Sequence, residues 1–548
     1  MVLPRAALAT RAARRLGCGT DRGSRGLAAR RTTVTGALRR NMAWIHGWLG
    51  LVGGWLLFVM FLTGTASYFR PEITRWMQPE LPWRTVAPAA AAQAAVSYLT
   101  RVGPDDRQWY VFLPDARTAI TRVFVTPNPA APASATRATE ILLDPTTGQP
   151  LRARDTRGGE HFYRFHFQLQ LPYPWGRWLA GVCAMFMLGA IVSGVITHKR
   201  IFADLFTLRW NKGQRSWLDA HNVAAVLALP YHAMITYTGL LTLITLYMPW
   251  PVAANYTDPA TFAQAIYGTP PDEAASGRRV PTIAVGALAA DAARRWGAPP
   301  ALMIVSNPGD AAAQVTFARS ARDTIGARAT TLTYAGVTGR LLREGGGTGP
   351  ALSTAGVMLG LHVAQFAGPA LRWTLFLLGL TGTTMVGTGL LLWTSARRRP
   401  GAAPFSGLRL VERLNIATIV GFPVGMAAYL LANRLIPADL AGRADLEVQA
   451  MFWTWGVVAL AQLVRPARRA WREGFLLAAI AYAAVPLTNT LTTARGLPRS
   501  LVEGDMAFAA FDIAMLAIAS LFALAAWRAG KAAGTKPRRK SRSETIHV

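Results

Sequence analysis

Eight apolar stretches, each near the roughly 20 residues a helix needs to cross a bilayer, constrain this chain more than any other feature. They lie near residues 44–69, 175–197, 221–249, 359–394, 413–436, 448–465, 474–493 and 506–527. Basic clusters flank them: "RRN" at 39–41, "HKR" at 198–200, "ARRRP" at 396–400, "RPARRAWR" at 465–472 and "KPRRKSR" at 536–542. Lys and Arg mark the cytoplasmic ends of membrane helices. Placing every cluster inside gives an expected topology with both termini in the cytoplasm. The same placement accounts for a formal charge of +30 in a chain that is 52% hydrophobic. The charge flanks apolar helices rather than coating one face, so the expected partner is the lipid bilayer and not nucleic acid.

The expected fold is a membrane all-α bundle of about eight transmembrane helices, with two small α+β domains inserted on the outer side at 70–165 and 250–358. Both inserts alternate like strands. In the first, "QWYVFLP", "TRVFVTPNP" and "TEILLDPTTGQPLRAR" carry the pattern; in the second, "ALMIVSN", "AQVTFAR" and "TTLTYAGVTGRLLRE" follow an amphipathic "PTIAVGALAADAARRW". Each insert ends in a Thr-Gly hairpin. The remaining divisions are a disordered basic tail at 1–40, span one at 41–69, spans two and three with a cytoplasmic loop at 166–249, span four at 359–396, four more spans at 413–527 and a basic tail at 528–548. Two cysteines, Cys18 and Cys183, are too few for a cysteine-ligated zinc or iron–sulfur site.

The unit helix–insert–helix occurs twice. His46 precedes Gly64 of a Thr63-Gly64 pair by 18 residues, and His221 precedes Gly239 of Thr238-Gly239 by the same 18. His166 stands 11 residues before Arg177, and His362 stands 10 before Arg372. Of eight histidines, His547 is in the tail and the other seven lie in the first four spans and their edges. The topology places His46, His198 and His221 at inner ends, and His166 and His362 at outer ends. His232, eleven residues after His221, falls about 16 Å deeper on a straight helix at ~1.5 Å per residue.

Imidazoles facing one another from different helices at one depth are what axial ligation of a haem requires. His166 and His362 form one expected site. His46, His198 and His221, with His232, form a second, and the Gly-rich "GWLGLVGGW" and "GLTGTTMVGTG" would help the helices accommodate a macrocycle. Two other readings stay open. A proton relay wants intramembrane carboxylates, of which Asp512 is the clear mid-span one and Asp219 is interfacial. A non-haem metal site wants carboxylates beside the histidines, and none is close in sequence. His161 and His198, taken singly, fit interfacial hydrogen bonding equally well. His232 matches Leu57 in the repeat, so symmetry does not demand it.

The segments "IHGWLGLVGGWLLFVMFLTGTASYF", "FHFQLQLP" with "GRWLAG", "LDAHNVAAVLALPYHAMITYTG", and "LHVAQFAG" with "GLTGTTMVGTGLLLW" resemble the PepSY-associated transmembrane-helix family of bacterial inner membranes. "LLDPTTGQPL" is similar to the closing hairpin of a PepSY domain, and the likeness covers about residues 40–400. It implies a multi-pass inner-membrane protein with PepSY-like periplasmic domains and haem b, two per chain. Electrons would pass through the haems to ferric iron or a ferric siderophore in the periplasm. His46, His166, His221 and His362 match the family's histidine positions, while His198 and His232 belong to a longer subgroup pattern. No G-x-G-x-x-G follows a strand on the inner side, so the expected donor is a quinol or another reductant. Two alternatives come from other classes. One is a non-enzymatic sensor or anchor binding a periplasmic peptidase or regulator. The other is a transporter of iron, haem or siderophore.

Overall fold

The computed structural model describes residues 21–128, 140–198, 201–203, 205–258, 261–262, 265–266, 274–326, 330–346, 349–399 and 401–534. Of the two basic tails, residues 1–20 and 535–548 lie outside the described residues. In chain order, α1 (Asp21–Ser67) and α2 (Arg70–Met77) lead to α3 (Pro88–Val102), β1 (Gln108–Phe112), β2 (Thr121–Thr126) and β3 (Glu140–Leu143). Next come α4 (Glu160–Gln168), α5 (Trp175–Thr197), α6 (Gln214–Leu227), α7 (Leu229–Thr242), α8 (Ile244–Tyr247) and α9 (Trp250–Asn255). The second insert supplies α10 (Val285–Trp296), β4 (Pro300–Ser306), β5 (Gln314–Arg319), β6 (Thr331–Ala335) and β7 (Leu341–Gly345). The chain continues through α11 (Pro350–Val363), α12 (Pro369–Arg397), α13 (Ser406–Ile416), a π-helical turn (Ala417–Gly421), α14 (Phe422–Leu435), α15 (Arg443–Ala461), α16 (Ala467–Thr492), α17 (Leu497–Glu503) and α18 (Met506–Gly534).

Among the described residues, six helical segments are long and apolar enough to cross a membrane: Gly36–Ser67, Trp175–Thr197, Pro369–Arg397, Ser406–Leu435, Ala467–Thr492 and Met506–Lys531. A seventh exists if α6 and α7 count as one span, and these are bent by 68°. Pro230, in the first turn of α7, causes the bend: it has no N–H to bond back, and its ring crowds the preceding turn. The stretch expected at 448–465 is α15, whose first turns carry Arg443, Asp445 and Glu447 and leave it more polar than the six. The span expected at 359–394 is two helices, α11 and α12, parted at Ala364 in the left-handed region (φ 51°). The first helix begins at Asp21, inside the stretch expected to be a disordered tail. No proline interrupts residues 21–40, so nothing there stops helix from extending back from the span.

The two inserts do not fold as two separate domains. Their seven strands form one antiparallel sheet in the order β3-β2-β1-β4-β5-β6-β7. The halves join where β1 pairs with β4, Gln108 opposite Ser306 through Phe112 opposite Leu302. Alone, each insert would present a bare edge of backbone N–H and C=O groups at that strand. Pairing satisfies both edges and lays α3 against α10, so that Ala92, Leu99, Trp109, Leu288, Val305 and Phe317 share one core. The Thr-Gly turns are where the sequence put them, with Gly148 at φ 67° and Gly339 at φ 71°, a region that favours glycine.

Beneath the sheet, α1 packs on α5 and α12, α6 packs on α12, and α7 packs on α11. The last helices are fastened to this core by a buried polar network. Asp512, expected as a mid-span acid, is fully buried and accepts from Trp76 Nε1 and Asn489 Nδ2, each at 2.9 Å. Arg434 lies 3.7 Å over the Trp76 ring and donates to Asn489 Oδ1 at 2.9 Å and to the Trp76 carbonyl. Buried Arg443 and Glu447 pair at 2.8 Å, Asn433 donates to Glu447 at 2.7 Å, and Arg154 donates to the Asn433 carbonyl at 2.7 Å. These bonds join α14, α15, α16 and α18 to α2 and to the segment leaving β3. Asp512→Ala takes the acceptor from the Trp76 indole N–H and from one of the two Asn489 N–H groups, the other reaching the Arg495 carbonyl, and is expected to cost about 3 kcal/mol, read as a lowered thermal midpoint in detergent. Asp512→Asn, which keeps an acceptor, should lose less; equal stability of Asp512→Ala and wild type would contradict this role.

Candidate functional site

The topology brings four histidines together as two facing pairs. His46 of α1 and His221 of α6 have ring centres 6.1 Å apart, with planes at 71°. His166 of α4 and His362 of α11 have ring centres 6.1 Å apart, with planes at 30°. An imidazole nitrogen lies roughly 1.1 Å from its ring centre and a metal–imidazole bond is about 2.0–2.1 Å, so two rings sharing one metal stand about 6.2–6.4 Å apart. Both pairs come within a few tenths of an ångström of that separation.

Each ring is also held through its other nitrogen by a helix facing it. Nδ1 of His46 donates to the Ala190 carbonyl at 2.9 Å, Nδ1 of His166 to Met60 at 2.7 Å, and Nδ1 of His221 to Met385 at 2.8 Å. His362 bonds the backbone of Ile235 on the helix facing it, and its Nδ1 lies 3.2 Å from the Thr238 hydroxyl of that same helix. A carbonyl only accepts, so Nδ1 carries the proton and Nε2 keeps the lone pair. Metal-ligating histidines are held in this way.

Each pair lines a cavity. The one on the sheet side, about 750 Å³, contains His166 and His362 and opens toward Arg70, Arg117, Arg177 and Arg322. The far one, about 480 Å³, contains His46 and His221 together with Gly47, Gly50, Gly54 and Gly389, so both glycine-rich runs do leave room there. Both volumes are in the ~300–1,000 Å³ range of cofactor pockets, and the two cavities share Leu57 and Met187 as lining. The far cavity is also lined by Trp393, whose buried Nε1 has no hydrogen-bond partner among the described residues. With the arginines of the sheet-side cavity, that orphaned donor suits a ligand bearing carboxylates. Among the described residues no three His, Cys, Asp or Glu side chains converge to hold a bare ion. The pairs therefore suit a metal that brings most of its own donors.

The family model described as the PepSY-associated TM region matches residues 43–396, which include both pairs and the whole sheet. The chain belongs to this family. Comparison with curated proteins finds no match. Helices α13 to α18 lie beyond the matched region of this PepSY-associated chain.

The other histidines are not members of the two facing pairs. His198 follows α5, lines the far cavity, and has Nε2 3.2 Å from Asn222 Nδ2. His232 is fully buried and lines the far cavity, but its ring neighbours are Phe61 and Tyr231, and its Nε2 is 3.3 Å from Thr381 Oγ1. The 68° bend also removes the straight-helix depth expected for it. His161, outside the spans, has Nε2 3.3 Å from Met451 Sδ and stacks on Phe165. Burial, with Arg157 nearby, lowers its pKa to about 4, so it is a neutral fastening between α4 and α15. Asp219 accepts from Arg209 at 2.8 Å through both oxygens and faces no histidine pair.

Sequence reasoning missed Gly194, against which His46 lies, and read Gly389 only as part of a glycine-rich run and not as the residue against which His221 lies. A signal was present: Gly194 follows His166 by 28 residues, and Gly389 follows His362 by 27. If a group is bound between each pair, the pairing has a direct check. His46→Ala and His221→Ala should each remove the same bound group, and His166→Ala and His362→Ala the other. If His46→Ala and His166→Ala removed the same one, the pairing would be wrong.

Proposed function

We propose that this chain is a haem b protein of the bacterial inner membrane that carries electrons across the bilayer to ferric iron or a ferric siderophore in the periplasm. In this reading about eight spans cross the membrane, both termini are cytoplasmic, and the sheet stands in the periplasm. One haem would lie between His46 and His221 and the other between His166 and His362. The observation that carries the reading is the equal 6.1 Å separation of the two pairs, each ring tied through Nδ1 to a helix facing it.

Haem iron supplies one-electron chemistry, alternating between its ferric and ferrous states. The chain's own part is to hold four neutral imidazoles with Nε2 inward and to keep water from the iron. It also sets the two layers close enough for Leu57 and Met187 to touch both cavities. The sheet-side cavity reaches past its histidines to the underside of the sheet, where Arg117, Arg122 and Ala301 line it. That opening is where a ferric chelate could come near the second layer. Reduction releases iron from hard oxygen ligands, because Fe²⁺ binds them far more weakly than Fe³⁺. A quinol or another reductant would feed the far layer.

The test uses holoprotein in liposomes, with dithionite trapped inside and ferric citrate plus a ferrous-specific chelator outside. Ferrous iron should accumulate outside, and His46→Ala or His166→Ala should lower the rate at least tenfold. Protein that retains both haems yet gives no more ferrous iron than protein-free vesicles would sink this function.

A further inference from the structure

The four paired histidines are held by one local device, repeated four times. On the helix facing each ring a carbonyl bonds the ring, through Nδ1 for His46, His166 and His221; three residues later comes Ser or Thr, and the next residue is glycine. For His166 the set is Met60, Thr63 and Gly64, and for His46 it is Ala190, Ser193 and Gly194. For His362 it is Ile235, Thr238 and Gly239, and for His221 it is Met385, Thr388 and Gly389.

Each hydroxyl bonds within its own helix, and those of Ser193 and Thr238 also stand 3.4 Å and 3.2 Å from Nδ1 of the histidine they face. Thr63, Ser193, Thr238 and Thr388 donate at 2.7 Å to the carbonyl four residues back, with a longer contact of 3.0–3.4 Å to the carbonyl that the histidine uses. The glycine then makes room for the ring. A Cβ added at Gly64 would stand 2.7 Å from His166 Nδ1, and one at Gly239 would stand 2.8 Å from His362 Cε1. At Gly194 and Gly389 the nearest atoms, Cε1 of His46 and Cε1 of His221, would be 3.1 Å away. The ring cannot retreat without stretching its Nδ1 bond, so space and hydrogen bond fix it together.

We infer that the hydroxyl–glycine dipeptides Thr63-Gly64, Ser193-Gly194, Thr238-Gly239 and Thr388-Gly389 are the positioning elements of the four paired histidines, each acting on a histidine of another helix. This rests on the haem reading above. The arrangement is reciprocal. Helix α1 offers His46 to the far layer and seats His166 of the sheet-side layer, while α5 seats His46 and follows His166 in the chain. A fault in one seat therefore appears in a layer to which its own helix contributes no ligand.

The experiment is carbon monoxide binding to dithionite-reduced holoprotein, with haem counted per chain. Wild type, with both irons six-coordinate, should leave carbon monoxide unbound. Gly64→Ala should displace His166 alone, so that half of the haem binds carbon monoxide or is lost, while the His46/His221 haem keeps its low-spin spectrum and reports a folded protein. Gly239→Ala should affect the same half. Gly194→Ala and Gly389→Ala should affect the other half, and more weakly, because their Cβ atoms meet the rings at 3.1 Å. Gly456→Ala, with nothing within 4 Å of its Cβ, should leave both haems intact. Wild type without haem overturns the haem reading. Wild type with two low-spin haems, alongside Gly64→Ala and Gly239→Ala proteins that retain both and bind no carbon monoxide, overturns the seat.

Discussion

The bond from each paired histidine to a carbonyl on a facing helix is the interaction on which the rest of this structure depends. It turns a flexible side chain into a fixed one and leaves Nε2 without the proton. Because His46 bonds Ala190 and His166 bonds Met60, α1 and the α4–α5 pair hold one another. Because His221 bonds Met385 and His362 bonds Ile235, α6–α7 and α11–α12 do the same. The two halves then meet at both histidine pairs. They meet again above the membrane helices, where β1 joins β4. A glycine inside a helix costs ~1 kcal/mol relative to alanine. Four glycines at these seats are a persistent cost, which fits a site that needs the space.

The first half of that account was legible in the sequence. The 18-residue spacing from His46 to Gly64 and from His221 to Gly239 marked the repeat, and periodicity marked the strands. The joined sheet was not legible, because strand alternation identifies a buried face and not the partner at an edge. The bend at Pro230 was also missed: an apolar run reads as one span, and the straight-helix depth given to His232 ignored what proline does to a helix. Gly194 escaped, and Gly389 was read only as part of a glycine-rich run, because each seats a histidine of another helix, a relation that becomes visible only when the facing helix is known.

The remaining helices follow a different logic. They hold no histidine, and their buried charges are bonded to one another, to α2 and, for Glu412, to Arg398. Asp512, which a transport reading needs as a free acid, is bonded to Trp76 and Asn489. That use of the one clear acid in α18 fits a scaffold better than an ion path. A sensor reading asks nothing of the membrane histidines, and so leaves unexplained why two pairs share one separation and one mode of support.

The most direct test of the paired histidines is electron paramagnetic resonance of the ferric holoprotein. Nearly perpendicular axial imidazoles leave two iron orbitals close in energy, and nearly parallel ones split them, so the two arrangements give different low-spin signals. With ring planes at 71° in one pair and 30° in the other, two low-spin signals of equal weight are predicted, one highly anisotropic and one rhombic. His166→Ala should remove only the rhombic one. A high-spin spectrum, or a single low-spin signal accounting for all the iron, would contradict the account.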